Sequence, residues 1–252
     1  MLPLEIALLV FACVFGGALV GMFSSAALPE HHLSKDSVDS IKMGMGLVAT
    51  MTALVLGLVT ASAKSAFDSQ AASVEQTASD ILALDRVLAS YGPETQEIRE
   101  SIKRVLASRM TQIWPEDGSG SRRDAPEALA TAEGIQRSLL ALSPKGDAQS
   151  WLKSRALDLA SDVLQTRWRS LASGSNVVQT PFLVVVVSWL TVIFWSFGLV
   201  APRNATVIAV LLVCALSVSA SIFLILEMGN PYEGLMRVSS APLKFTLDHL
   251  GK

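Results

Sequence analysis

An uncharged apolar stretch, residues 43–63, constrains the fold of this chain more than any other feature. A helix rises about 1.5 Å per residue, so a stretch of this length crosses a hydrocarbon core of roughly 30 Å. The first charge after it is Lys64. The pattern predicts a transmembrane helix with a cation at one end.

One side of this predicted helix is built from small or slightly polar residues. They recur every three or four positions: Gly46, Thr50, Ala53, Gly57, Thr60 and Lys64. Helical geometry aligns such positions on one face. This small side has two interpretations that the sequence leaves open. It lets another helix backbone come close, or it lines a pore in a homo-oligomer, with Lys64 as a ring of positive charge at the mouth.

Two other apolar blocks complete the membrane prediction. Leu4–Phe23 has the length of one span, whereas Thr180–Leu226 is too long for one and is interrupted at residues 201–204 by Ala-Pro-Arg-Asn. Only 17% of the residues are charged, against about a quarter in an ordinary soluble domain. We therefore predict an all-α integral membrane protein with four transmembrane helices.

A helical bundle is predicted between the second and third spans. Apolar residues there recur at helical spacing, and no strand pattern is present. The predicted helices are the continuation of the second span to Tyr91, then Glu94–Ile113, Glu127–Leu142 and Asp147–Ala172. The domains are then residues 1–64 (first transmembrane pair), 65–173 (bundle), 177–227 (second pair) and 228–252 (tail, with an amphipathic end at Leu235–Leu250).

The other predicted spans carry features that indicate how each one packs. Gly17 and Gly21 form a GxxxG helix-packing signature in the first span, which we expect to dock on the small side of the second. The third span is bulky and aromatic, which favours a lipid-facing position. Cys13 and Cys214 fall within predicted spans and are interpreted as small buried apolar residues.

Basic residues near the spans predict the orientation. Lys35, Lys42 and Arg203 lie on one side; Lys64, Arg167, Arg169, Arg237, Lys244 and most of the bundle's cations lie on the other. The positive-inside rule then places both termini and the bundle in the cytoplasm. The first apolar block has no preceding Lys or Arg and is longer than a signal-peptide core, so we predict a retained helix.

Enzyme, metal and nucleic-acid signatures are missing from the sequence. It contains no HExxH, no GxSxG and no glycine-rich nucleotide fingerprint. His31 and His32 near Asp36 and Asp39 match no standard ligand spacing. The net charge of -2 indicates no nucleic-acid partner. We predict no catalytic residue, no cofactor and no metal site.

Three local motifs carry a family resemblance. They are residues 80–86 (Asp-Ile-Leu-Ala-Leu-Asp-Arg), Trp114-Pro115, and residues 230–234 (Asn-Pro-Tyr-Glu-Gly) with Ser239 and Pro242. Together with the layout of two spans, a helical domain and two joined spans, they resemble the bestrophin-like membrane proteins of bacteria over nearly the whole chain. This resemblance implies a multi-pass protein of the bacterial inner membrane.

The resemblance also suggests a function. Bestrophins are pentameric anion channels whose second span lines the pore above a helical cytosolic part. The resemblance thus implies a homo-oligomeric channel for an inorganic anion. The second span here has no aromatic residue, unlike the bestrophin pore neck, and the acidic calcium clasp of animal bestrophins is absent, so calcium gating is not predicted.

Other functions are weighed beside the channel. A non-conducting signalling or scaffold protein acting through the bundle is the alternative, because a long helix joins the second span to the bundle. A transporter is less supported, since the spans show no clear internal charge. For Asp80, Asp85 and Arg86 the sequence predicts pairing on a solvated helix face or between helices.

Overall fold

The computed structural model describes residues 3–25, 35–114, 125–172, 180–232 and 234–252, and these ranges contain no strand. Eight α-helices occupy them: α1 Pro3–Ser24, α2 Lys35–Tyr91, α3 Gln96–Ile113, α4 Ala125–Ala141, α5 Asp147–Ala172, α6 Thr180–Val200, α7 Ala205–Met228 and α8 Ala241–His249. A short 3-10 helix, Pro93–Thr95, lies between α2 and α3. The prediction of an all-helical chain is confirmed.

Four of the helices, α1, α2, α6 and α7, are long and apolar enough to cross a membrane. They coincide with the four spans predicted from the sequence. The loop that contains His31 and His32, and the segment with Pro115 and the Gly-Ser-rich run at 118–121, lie outside the described residues.

Local chemistry explains where the helices begin and end. Gly92, which follows α2, has a φ of 139°, a region that glycine adopts without steric cost. Thr95 then donates its hydroxyl to the carbonyl oxygen of Leu88 at 2.6 Å, which satisfies a free carbonyl at the end of α2. At the start of α7, Asn204 accepts a hydrogen bond from the backbone N–H of Val207 at 2.8 Å.

The C-terminal helix covers only part of the predicted amphipathic segment. The predicted amphipathic segment begins at Leu235, whereas α8 begins only at Ala241. Pro242 lies in the first turn of α8, where its missing N–H costs nothing.

Contacts divide the chain into two compact units. The first comprises Met1–Ala66 and Asn176–Gly229, and the second comprises Phe67–Ser175 and Asn230–Lys252. Helix α2 contributes residues to both. The segment after α7 belongs to the same unit as α3, α4 and α5.

The core of the first unit is formed by α1, α6 and α7, with two side chains of α2, Val55 and Leu56, packed against it. Its buried members are Val10, Val14, Ala18, Met22, Val186, Leu190, Phe194, Leu211, Ala215 and Ile222. Helix α6 has the largest buried share of the four apolar windows, 39%, while Phe182, Trp195 and Phe197 remain exposed as the prediction of a lipid-facing span requires. Its aromatic residue Phe194 lies in the core because α1 packs along the same face.

The core of the second unit draws on every helix of the bundle. Its buried members are Val74, Ala78, Leu84 and Leu88 from α2, Ile98, Ile102, Leu106 and Met110 from α3, Leu139 from α4, Ala156, Leu159 and Ala160 from α5, and Val238, Leu243 and Leu250 from the C-terminal segment. The C-terminal segment is therefore part of this core rather than a free tail.

Candidate functional site

The small side of α2 is exposed in the protomer. Every residue of the set is solvent-exposed in the chain by itself: Gly46, Thr50, Ala53, Gly57, Thr60 and Lys64. Only 11% of the most apolar window of α2 is buried, whereas the corresponding windows of α1, α6 and α7 are 28–39% buried. Helix α2 is thus the least covered of the four apolar helices.

The buried side of α2 lies elsewhere on the helix. Thr52 and Ala63 are buried, with exposed fractions of 3% and 0%. Large apolar side chains, Leu47, Leu54 and Leu58, form a third side that is also exposed. Helix α2 therefore has a buried side, a leucine side and a small side.

The glycines of α2 differ from those of α1 and α6 in what surrounds them. A Cβ added at Gly46 or Gly57 would meet nothing within 4 Å. A Cβ at Gly21 would overlap the carbonyl oxygen of Trp195, and one at Gly198 would overlap the carbonyl oxygen of Ala18. Gly17 and Gly21 of α1 and Gly198 of α6 are thus used in packing within the protomer, whereas Gly46 and Gly57 of α2 are not.

Gly17 and Gly21 face α6 rather than α2. A Cβ at Gly17 would lie 3.0 Å from the carbonyl oxygen of Thr191. The expectation that these glycines dock on the small side of the second span is therefore wrong. The sequence pattern marked a close helix contact but could not identify the partner, because several helices of this chain carry small residues.

The threonine hydroxyls on the small side are oriented by the helix backbone. Thr50 donates to the carbonyl oxygen of Gly46 at 2.8 Å, and Thr60 donates to that of Leu56 at 2.7 Å. With the hydrogen engaged, each hydroxyl presents oxygen lone pairs outward. The exposed surface therefore offers acceptors to water, and it offers a donor only if a hydroxyl rotates.

The two cysteines are exposed and one carboxylate is buried, which the sequence did not predict. Cys13 and Cys214 are exposed on α1 and α7, so the interpretation as buried residues is wrong. Glu227, the last residue of the predicted second transmembrane pair, lies within α7 and is only 5% exposed.

The acidic–arginine motif in α2 organises part of the bundle. Asp85 is fully buried and binds Arg99 of α3 through two hydrogen bonds, Oδ1 to Nε at 2.7 Å and Oδ2 to Nη2 at 3.0 Å. Arg86 donates to the carbonyl oxygen of Lys252 at 2.7 Å. Asp80 accepts a hydrogen bond from Gln76 at 2.8 Å. Asp85 thus pairs between helices, which is one of the two arrangements left open by the sequence.

Two motifs that are far apart in the sequence meet in the second unit. Trp114 donates its indole N–H to the carbonyl oxygen of Val238 at 2.9 Å, and its ring lies edge-on to Tyr232 with centroids 5.6 Å apart. The Tyr232 hydroxyl donates to Gln70 at 3.2 Å. The Trp-Pro and Asn-Pro-Tyr motifs therefore hold the C-terminal segment against α2 and α3.

Comparison with known protein families shows to which family this chain belongs. A model of the bestrophin-like domain matches residues 12–243, which is most of the chain. The chain belongs to the bestrophin-like family. No curated protein and no solved structure matches it.

The region matched by the bestrophin-like model contains the motifs that meet in the bundle. The match spans the exposed side of α2, the Asp85–Arg99 pair and the Trp114–Tyr232 contact, so all three lie inside the family domain. Within the described ranges of this bestrophin-like chain, no group of three His, Cys, Asp or Glu side chains could hold a metal ion.

Proposed function

We propose that this bestrophin-like chain is embedded in the bacterial inner membrane and assembles as a homo-oligomer around α2, whose small side lines an ion-conducting pore. The observation that carries the proposal is the exposure of that small side in the protomer. Both termini and the bundle lie in the cytoplasm in this arrangement, as the distribution of basic residues favours.

The energetic cost of glycine inside a helix supports a partner helix or a pore at the small side of α2. Glycine inside a helix costs about 1 kcal/mol relative to alanine, and Gly46 and Gly57 lie well inside α2. Nothing within the protomer needs their small size, because an added Cβ would meet open space. Lipid contact also does not require it, since the leucine side of α2 suits hydrocarbon. A second copy of α2 or a water-filled axis explains the glycines.

The chemistry of the small side suits a hydrated pore that ends in positive charge. Thr50 and Thr60 offer oxygen atoms to water at two levels, separated by the room left at Gly57. Lys64 is the first charged residue after them, and several copies around an axis would form a cationic ring. Such a ring raises the local concentration of anions, so selectivity for inorganic anions rests on Lys64.

A signalling or scaffold role remains the competing function, and one observation favours it. Helix α2 is a single helix of 57 residues whose residues belong to both compact units. A helix of this kind can transmit a change between membrane and bundle without a pore. That function predicts a co-purifying partner and no conductance.

The oligomeric state is the first test of the channel. Mass photometry and cryo-EM class averages of the full chain in detergent should show a closed ring with Gly46, Thr50, Gly57 and Lys64 facing its axis. A monomer, or a dimer with the small side of α2 covered by a neighbouring helix, would remove the pore.

Cysteine accessibility then separates a pore from a packed interface. We would replace Cys13 and Cys214 with alanine and introduce Gly57→Cys on the small side or Leu54→Cys on the leucine side. A charged methanethiosulfonate reagent, which reacts in water, should modify Gly57→Cys and block ion flux in proteoliposomes. Leu54→Cys is the matched control and should stay unmodified. Equal protection of both cysteines would contradict a hydrated axis.

A further inference from the structure

An apolar cleft opens on the surface of the first unit, between the beginning of α2 and the turn that joins α6 to α7. Its volume is about 460 Å³, and its lining is almost wholly carbon. The residues that line it are Lys42 and Met45 of α2, Phe197 and Val200 of α6, Ala201, and Thr206, Val207, Val210 and Leu211 of α7.

Water is a poor occupant of this cleft. Each water molecule in the cleft would need two to four polar partners. The walls supply very few such partners. A flexible hydrocarbon chain fills an open apolar cleft of this kind without that penalty.

The rim of the cleft carries a positively charged group, in contrast to its apolar wall. Lys42 is exposed and follows the start of α2 by two helical turns, near the α6–α7 turn, so it lies at one end of the apolar segments. Its ammonium lies 3.7 Å from a carboxylate oxygen of Asp39, with both side chains about 60% exposed. An exposed pair of this kind is worth at most about 1 kcal/mol. The ammonium has three donors, so it remains able to bind a phosphate.

We propose that this cleft is a phospholipid-binding site, with an acyl chain against Phe197, Val207 and Val210 and the headgroup phosphate at Lys42. The Lys42 ammonium at the rim and the hydrocarbon along the wall match the two parts of a phospholipid, whereas a free anion would leave the wall uncovered and a wholly apolar molecule would leave the cation unused. The inference rests on the proposed membrane embedding, but it does not depend on conduction.

Native mass spectrometry of the full chain provides the test. Protein released from detergent in the presence of a bacterial phospholipid mixture should retain one phospholipid per protomer. Lys42→Gln and Val210→Trp should each lower the retained fraction at least several-fold, the first by removing the cation and the second by filling the cleft. Separate spectra with phosphatidylethanolamine and phosphatidylglycerol distinguish a zwitterionic from an anionic headgroup.

Two matched variants control for general effects on the membrane surface. Lys35→Gln removes an exposed cation two turns before Lys42, and Val213→Trp adds the same ring at another exposed valine of α7. Both should retain phospholipid as the parent chain does. Equal retention by all variants, or occupation of the cleft by a neighbouring copy in the assembled ring, would overturn the proposal. Retention is counted per protomer. A non-conducting or monomeric protein would therefore overturn the proposed channel, but the phospholipid retained by each protomer could still be measured.

Discussion

Asp85 and Arg99 form a two-point ion pair inside the bundle, with the carboxylate fully buried and the guanidinium 18% exposed. The backbone N–H of Gly251 also donates to Asp85 Oδ2 at 3.3 Å, so the same carboxylate holds the C-terminal segment. The hydrogen bonds from Arg99 to Asp85 raise the pKa of the guanidinium above its ordinary value. A raised pKa in the folded state stabilises the fold at every pH below the unfolded value, which covers the working range of the protein.

Loss of Arg99 should destabilise the bundle strongly. Arg99→Met leaves the Asp85 carboxylate buried without its cation, which costs about 3–5 kcal/mol. Thermal unfolding of the purified full chain in detergent measures the effect. Lys145→Met is the control, because Lys145 and Glu94 form an exposed pair worth about 0–1 kcal/mol. Equal losses in the two variants would contradict the buried pair, and the double variant Asp85→Leu with Arg99→Met should recover much of the loss.

Substitution of Gly21 should disturb the first unit, whereas substitution of Gly16 should not. In Gly21→Ala the new methyl group overlaps the carbonyl oxygen of Trp195, and α1 and α6 must separate at a cost of about 1–3 kcal/mol. Gly16→Ala on the same helix meets nothing within 4 Å and should gain up to about 1 kcal/mol. Temperature-dependent size-exclusion chromatography compares the two variants. Similar midpoints would show that α1 and α6 are not in close contact.

Glu94 should titrate below the ordinary value for glutamate. Its pKa is lowered first by a hydrogen bond from its own backbone N–H and second by Lys145, whose ammonium lies 3.1 Å from Oε1. Carboxyl ¹³C chemical shifts followed through a pH titration measure it. Lys145→Met should return only part of the shift, because the backbone hydrogen bond remains. A lowered pKa means that the stabilisation is present above about pH 4.3 and is lost as the pH falls through the folded value.

Reversal of the charge at Lys64 should reverse ion selectivity. In Lys64→Glu a cationic ring becomes anionic, so reversal potentials in planar bilayers should move from anion-selective towards cation-selective. Lys64→Gln should fall between the two. Unchanged selectivity in Lys64→Glu would remove Lys64 from the conduction path.

Hydrophobic length and helix-breaking residues were sufficient to predict much of the local structure. The end of α2 at Tyr91 follows from Gly92 and Pro93, and the cap of α7 follows from Asn204. These helix ends depend on residues that are close together in the sequence, so they can be predicted from the sequence directly. The long helix from the second span into the bundle was predicted for the same reason.

Only the tertiary structure decided which helix faces pack against a neighbouring helix and which remain exposed. Gly17 and Gly21 carry the same small-residue pattern as Gly46 and Gly57, yet the first pair packs against α6 and the second pair faces open space. Asp80 and Asp85 belong to one motif, yet only Asp85 receives an arginine, because α3 brings Arg99 to it. The sequence determined that this chain has four apolar helices and a helical bundle, because length and periodicity are properties of a single segment. The choice between packing and exposure depends on which neighbour covers each face, and that choice belongs to the assembled fold.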